Sequence, residues 1–304
     1  MGNSFWFDWE VSLMVFLQQL PQTIFKPIAL FFTEFGEEAV LVVMLGLLYW
    51  CLNKNIAKYV GSCLLLTLTW TTLLKGTIMR RRPYMDHDDI KCLKLPHGDG
   101  DPMSPADQGY SCPSAHSSMT TAIFWSLANK VKHPVRYVFL FIPLFVGISR
   151  VYLGVHYPTD VLFGWFIGFV AMAVASLLDK FIHNRTILYL LYIALILPGI
   201  FFCTDVEYYT TRGVAIGFFL SQIVEERYIN FEDATSFKSG ALRLILGAAV
   251  FFAISKGLKL VVPTSFLESD GLPVYLFRSF RYFLGCFVSM GILPFAFKKC
   301  KWLQ

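Results

Sequence analysis

The stretch SRVYLGVHYPTDVLFGWFIGFVAMAVASLLDKF, Ser149 to Phe181, decides the fold. From Pro158 onward it is apolar save for Asp160 in its first turn and Asp179 and Lys180 near its end. A helix needs roughly 20 apolar residues to cross a bilayer, and this one has them. Ahead of it stand Ser149, Arg150 and His156, polar groups at the mouth of a span.

Moving outward, the same texture repeats. The 304 residues are 56% hydrophobic, 17% aromatic and only 15% charged, with a mean hydropathy of +0.56. Soluble domains carry about a quarter charged residues, so the main solvent here is lipid. The expected spans are Glu38–Leu52, Ala57–Met79, Ser117–Asn129, Val135–Leu153, Pro158–Phe181, Arg185–Phe202, Thr210–Val224, Gly240–Leu260 and Pro273–Phe297. Val11 to Phe35 is broken by Pro21, Lys26 and Pro27, and reads as a broken span or an interfacial helix. The fold class is therefore all-α, a polytopic integral membrane helical bundle. Met1 to Glu10 lacks the basic n-region of a cleaved signal peptide.

The short loops fix the orientation. Lys54 and Lys58, the Lys130–Arg136 group, Lys180 and Arg185, Arg227 and Lys238, and the tail Lys298, Lys299 and Lys301 share one side if the spans alternate. By the positive-inside rule that side is cytoplasmic. Asn184 of the Asn184-Arg185-Thr186 sequon falls there, so glycosylation is not expected. Basic residues in short loops make nucleic acid a poor partner. Arg80 and Arg81, against the rule, read as snorkelling to headgroups, and so do Arg212, Arg243, Arg278 and Arg281.

The polar loop Tyr84 to Ser111 holds Asp86, His87, Asp88, Asp89, His97, Asp99, Asp101 and Asp107, without the spacing of a calcium loop. It reads as solvated, with no metal. Cys92 and Cys112 share this loop and read as unpaired thiols, a disulfide being the alternative in an oxidising space.

Three segments on the non-cytoplasmic side carry chemistry: Lys75 with Arg82-Pro83, then Pro113-Ser114-Ala115-His116, then Ser149-Arg150 with His156 and Asp160. Lys75, Arg82 and Arg150 make a positive site for a dianionic phosphate, the arginines as planar forks and the lysine as a point charge. Pro113 and Ser114 open a helix whose first N–H groups add donors. Pro158 suits a first turn that carries Asp160 close to His156. A carboxylate on Nδ1–H fixes the tautomer and leaves Nε2 as nucleophile. His116 is then free to protonate the leaving oxygen. The set needs no metal or cofactor.

KGTIMRRRP (Lys75–Pro83), PSAH (Pro113–His116) and SRVYLGVHYPTD (Ser149–Asp160) resemble the three-part signature of the type 2 phosphatidic acid phosphatase superfamily. Ala115 stands where that family usually has Gly. The resemblance implies a six-span phosphatase core over residues 1–181, if the first segment crosses, and leaves 182–304 as an extension of about three spans. It implies that His156 attacks phosphorus, Asp160 holds it, His116 serves as acid and then base, and Lys75, Arg82, Ser114, Ala115, His116 and Arg150 bind the phosphoryl oxygens. It also implies metal-free hydrolysis of a membrane lipid phosphate or diphosphate, in a bacterial plasma membrane. Glucose-6-phosphatases resemble the same signature, so a sugar phosphate is an alternative, as is transfer to an acceptor other than water. The alternative of another class is a lipid-binding or transport protein that keeps the pocket.

Overall fold

The computed structural model describes residues 2–96, 100–132, 134–201, 203 and 205–303. The helices in chain order are α1 (Asp8–Gln18), α2 (Gln22–Glu34), α3 (Glu38–Leu47), α4 (Lys54–Ile78) and α5 (115–128, with a π-helical turn at Thr121–Trp125). Then come α6 (Val135–Tyr152), α7 (Pro158–Phe181), α8 (Arg185–Ile196), α9 (Val206–Val224), α10 (Phe237–Gly257) and α11 (Leu272–Phe287). Side-chain caps explain several starts: Ser114 for α5, Asn184 for α8, Asp205 for α9 and Ser236 for α10 each accept a first-turn N–H.

Among the described residues five helices are long and apolar enough to cross a membrane: Lys54–Ile78, Val135–Tyr152, Pro158–Phe181, Phe237–Val261 and Leu272–Lys299. Glu38–Leu52 and Arg185–Phe201 are shorter apolar helices, and Phe202 lies outside the described residues. Val11 to Phe35 is split at Pro21 into α1 and α2, of 11 and 13 residues. At 1.5 Å per residue neither crosses alone. Residues 115–128 form an interior helix, with Ser117, Ser118, Thr120, Thr121 and Ser126 all buried.

The chain divides into two compact units, Met1–Leu41 with Trp70–Met172, and Val42–Thr69 with Ala173–Gln304. Residues 42–69, counted with the core in the sequence, thus group with the C-terminal segment. In the first unit α2 and α5 pack on α6. In the second, α9 and α11 lie closest: a Cβ on Gly213 would meet the Ser279 carbonyl at 2.2 Å. Glu225, fully buried, takes both Lys54 and Lys58. The expectation that Arg212, Arg243 and Arg281 snorkel is corrected, for all three are buried. Arg243 instead donates to the carbonyls of Trp50, Glu232 and Leu303, which offset its desolvation. Only Arg278 of that group is exposed.

Candidate active site

The eight residues to which the blocks assign catalytic or phosphate-binding roles all fall in the first unit. Met79, at φ 50°, turns the chain out of α4. Residues 79–81 then run beside Asn3, which donates to the Met79 carbonyl and accepts from Arg81. Gly154, at φ +80°, closes the turn between α6 and α7, where a Cβ would strike the Lys91 carbonyl at 2.2 Å. Gly164 and Gly168 give α7 a bare face, and Cβ atoms there would lie 2.6 Å and 2.7 Å from the Ser114 and Ser118 carbonyls. That close approach lets the Ser114 N–H donate to the Asp160 carbonyl at 3.0 Å, joining the second block to the third.

His156 is buried. Its Nε2 lies 3.4 Å from an Arg82 Nη1, and its Nδ1 lies 3.7 Å from an Asp160 oxygen. The second distance exceeds a hydrogen bond. Arg82 is aimed by carbonyls, donating to Gln108, Gly109 and Val155 at 2.8 to 3.0 Å. Arg150, equally buried, donates to the Thr33 hydroxyl at 2.8 Å. Lys75 is half-buried, and its charge reaches both histidines. Ser114 accepts from the Ser117 hydroxyl at 2.9 Å while capping α5. Ala115 and His116 follow as the first helical residues, whose N–H groups have no acceptor within the helix. Burial pushes the His156 imidazole well below its ordinary range, and the charges of Arg82 and Arg150 push it further, so it stands neutral.

Several neighbours were given no role in the site by the sequence. Arg80, read in sequence as snorkelling, is buried and bonds Asp160 at 2.7 Å and Glu10 at 2.9 Å. It lies over the Tyr157 ring at 3.9 Å. Burial explains the correction: a guanidinium taken out of water stays where carboxylates meet it. Arg81, partly exposed, pairs with Asp86 at 3.1 Å. Glu37 stands 3.5 Å from His116 Nε2 and 2.8 Å from Lys94. The sequence carries one hint of these partners, the acids Glu10 and Glu37 next to apolar helices.

Cys92 and Cys112 are free thiols. Of the acidic loop, His97 and Asp99 lie outside the described residues. Among those described, no three of His, Cys, Asp and Glu come together to hold a metal ion.

A buried neutral imidazole facing a guanidinium, a carboxylate behind it, a second histidine and helix N–H groups without an intrahelical acceptor form an arrangement chemically suited to a phosphoryl group. No solved structure matches the chain. Residues 56–184, which contain all eight positions, match the PAP2 superfamily. Residues 209–304 match the family described as PAP2 superfamily phosphatase, transmembrane extension. The chain belongs to the PAP2 superfamily and is a membrane phosphatase that carries the superfamily's transmembrane extension.

Proposed function

We propose that this phosphatase hydrolyses the phosphate monoester or diphosphate of a lipid, without a metal, through a phosphohistidine on His156. The observation that carries the reading is His156 itself, neutral and buried, with Nε2 toward Arg82 and Nδ1 toward Asp160. In the first step Nε2 bonds phosphorus as the ester P–O bond breaks, and the leaving oxygen takes a proton from His116. In the second, water gives its proton to His116 and bonds phosphorus while the P–N bond breaks. Lys75, Arg82, Arg150 and the N–H groups of Ala115 and His116 bear the charge spread over the phosphoryl oxygens.

A lipid is favoured because the functional groups cluster at helix ends. Lys75 and Arg150 lie in the last turns of α4 and α6, and Asp160 in the first turn of α7. Phe141, Phe145 and Ile148 on α6, and Leu162, Phe166 and Phe169 on α7, present apolar surface beside them. The positive-inside pattern supports a non-cytoplasmic position for this end.

The test is phosphate release from a panel of lipid phosphates and glucose 6-phosphate, in detergent with EDTA, with His156→Ala alongside. Release that survives EDTA, favours a lipid and vanishes in the variant is the expected result. Equal release by variant and wild type would sink the phosphohistidine. Preference for glucose 6-phosphate would sink the lipid.

A further inference from the structure

His116 has to carry a proton in surroundings that oppose one. Arg150 from α6 and Lys75 from α4 both act on its imidazole electrostatically, and each disfavours a second positive charge. Something must hold the protonated ring. Among the described residues the carboxylate within ion-pair reach is Glu37, whose Oε1 lies 3.5 Å from Nε2. Glu37 sits on the turn between α2 and α3, outside all three sequence blocks.

The backbone at this turn is fitted to the ring. A Cβ on Gly36 would lie 2.7 Å from His116 Cδ2 and 2.9 Å from Cγ, so the residue before Glu37 covers the imidazole. Lys94 holds Glu37 from elsewhere, bonding it and Glu34 at 2.8 Å each. His116, 3.5 Å away, and after it the bonded Lys94 draw the Glu37 carboxyl down to about 2 against the cost of burial. It is therefore anionic wherever an enzyme is assayed.

We propose that Glu37 is a positioning residue for the general acid, aiming His116 and stabilising its imidazolium while the proton passes to the leaving oxygen. The inference rests on the phosphatase reading above. When the ester P–O bond breaks, its electron pair goes to the leaving oxygen, which takes the proton from His116; Glu37 remains ionised. When water then gives its proton to His116, the carboxylate compensates the charge that the ring acquires.

The test turns on leaving groups. The alkoxide of dioleoyl phosphatidate needs a proton as it departs, whereas the phenolate of p-nitrophenyl phosphate leaves without one. Glu37→Gln keeps the shape and removes the charge. It is expected to lose about 100-fold in kcat/KM on phosphatidate and less than about threefold in kcat/KM on p-nitrophenyl phosphate, and it is this ratio that is compared. The quantity kcat/KM reports phosphoryl transfer to His156 and not the shared second step. Its basic limb in kcat against pH should also move to lower pH, because the imidazolium has lost its anion. Glu37→Asp should show the same selectivity at smaller size, and it decides the matter if Glu37→Gln does not fold. Equal losses on the two esters, or none on either, overturn the proposal and leave the phosphatase reading standing. Wild type that releases phosphate from no lipid phosphate or diphosphate, or His156→Ala that hydrolyses both esters, overturns that reading itself.

Discussion

Methionine at position 80 keeps the reach of the arginine stem and removes its charge, leaving two buried carboxylates without their cation. Arg80 bonds Asp160 at 2.7 Å and Glu10 at 2.9 Å, and both acids are fully buried. Removing one member of such a set costs about 3–5 kcal/mol, because the other charges stay buried and unpaired. For a chain of this size that corresponds to a fall in Tm of roughly 6–15 °C. Methionine can still lie against Phe5 and Tyr157, so the loss reports charge more than packing. The assay is thermal unfolding in detergent, followed by tryptophan fluorescence. Adding Glu10→Gln to Arg80→Met should restore part of the loss, with an interaction energy of about 1–3 kcal/mol, since one stranded carboxylate is gone. Arg80→Met melting within about 2 °C of wild type would refute the argument, as would a double variant no more stable than the single.

Arg82→Lys keeps the charge but cannot reproduce a fork held by the Gln108, Gly109 and Val155 carbonyls. It should lose about 10²- to 10³-fold in kcat/KM on a lipid phosphate, and near wild-type activity would remove Arg82 from the clamp. Gly164→Ala puts a methyl 2.6 Å from the Ser114 carbonyl. It should cost about 1–3 kcal/mol in stability and raise the inhibition constant for inorganic phosphate as the start of α5 is pushed away. Glu37 falls from its ordinary 4.5 to about 2, so its contribution is full above about pH 4.5 and is lost as pH drops toward 2. The gap in Tm between wild type and Glu37→Gln should therefore shrink from pH 7 to pH 3; a gap that is unchanged or wider at pH 3 contradicts the assignment.

The three blocks were legible because they interrupt an apolar chain at fixed spacings, and a charged group at a membrane boundary announces itself. Pro158 correctly placed Asp160 in a first turn, one turn from His156. What lay hidden depends on contacts across tens of residues. Arg80 and Arg81 are neighbours in a run of three arginines, yet one is buried against Asp160 and the other faces Asp86 near the surface. Nothing local separates them; the difference arises because residues 2–5 run alongside 79–81 and cover one of the two. The partners of Glu10 and Glu37 were hidden for the same reason, since each acid meets its partner only after α1 and α2 have packed beside α6. Arg243 could not be told from a snorkelling residue until its carbonyl partners were assembled.

Those hidden contacts follow one electrostatic rule. A site meant for a phosphate must keep its cations from being neutralised by its own carboxylates. At 4 Å an opposite charge gains about 4 kcal/mol at an effective dielectric near 20, so a loose acid would settle on Arg82 or Arg150. Here each histidine has a carboxylate near it, and each carboxylate is tied to a cation of its own. Arg80 holds Asp160, 3.7 Å from His156, and Lys94 holds Glu37, 3.5 Å from His116. Arg150 donates to the Thr33 hydroxyl and Arg82 to backbone carbonyls. Neutral acceptors orient a guanidinium without cancelling its charge. Both imidazoles thereby have beside them a carboxylate that is already paired to a cation.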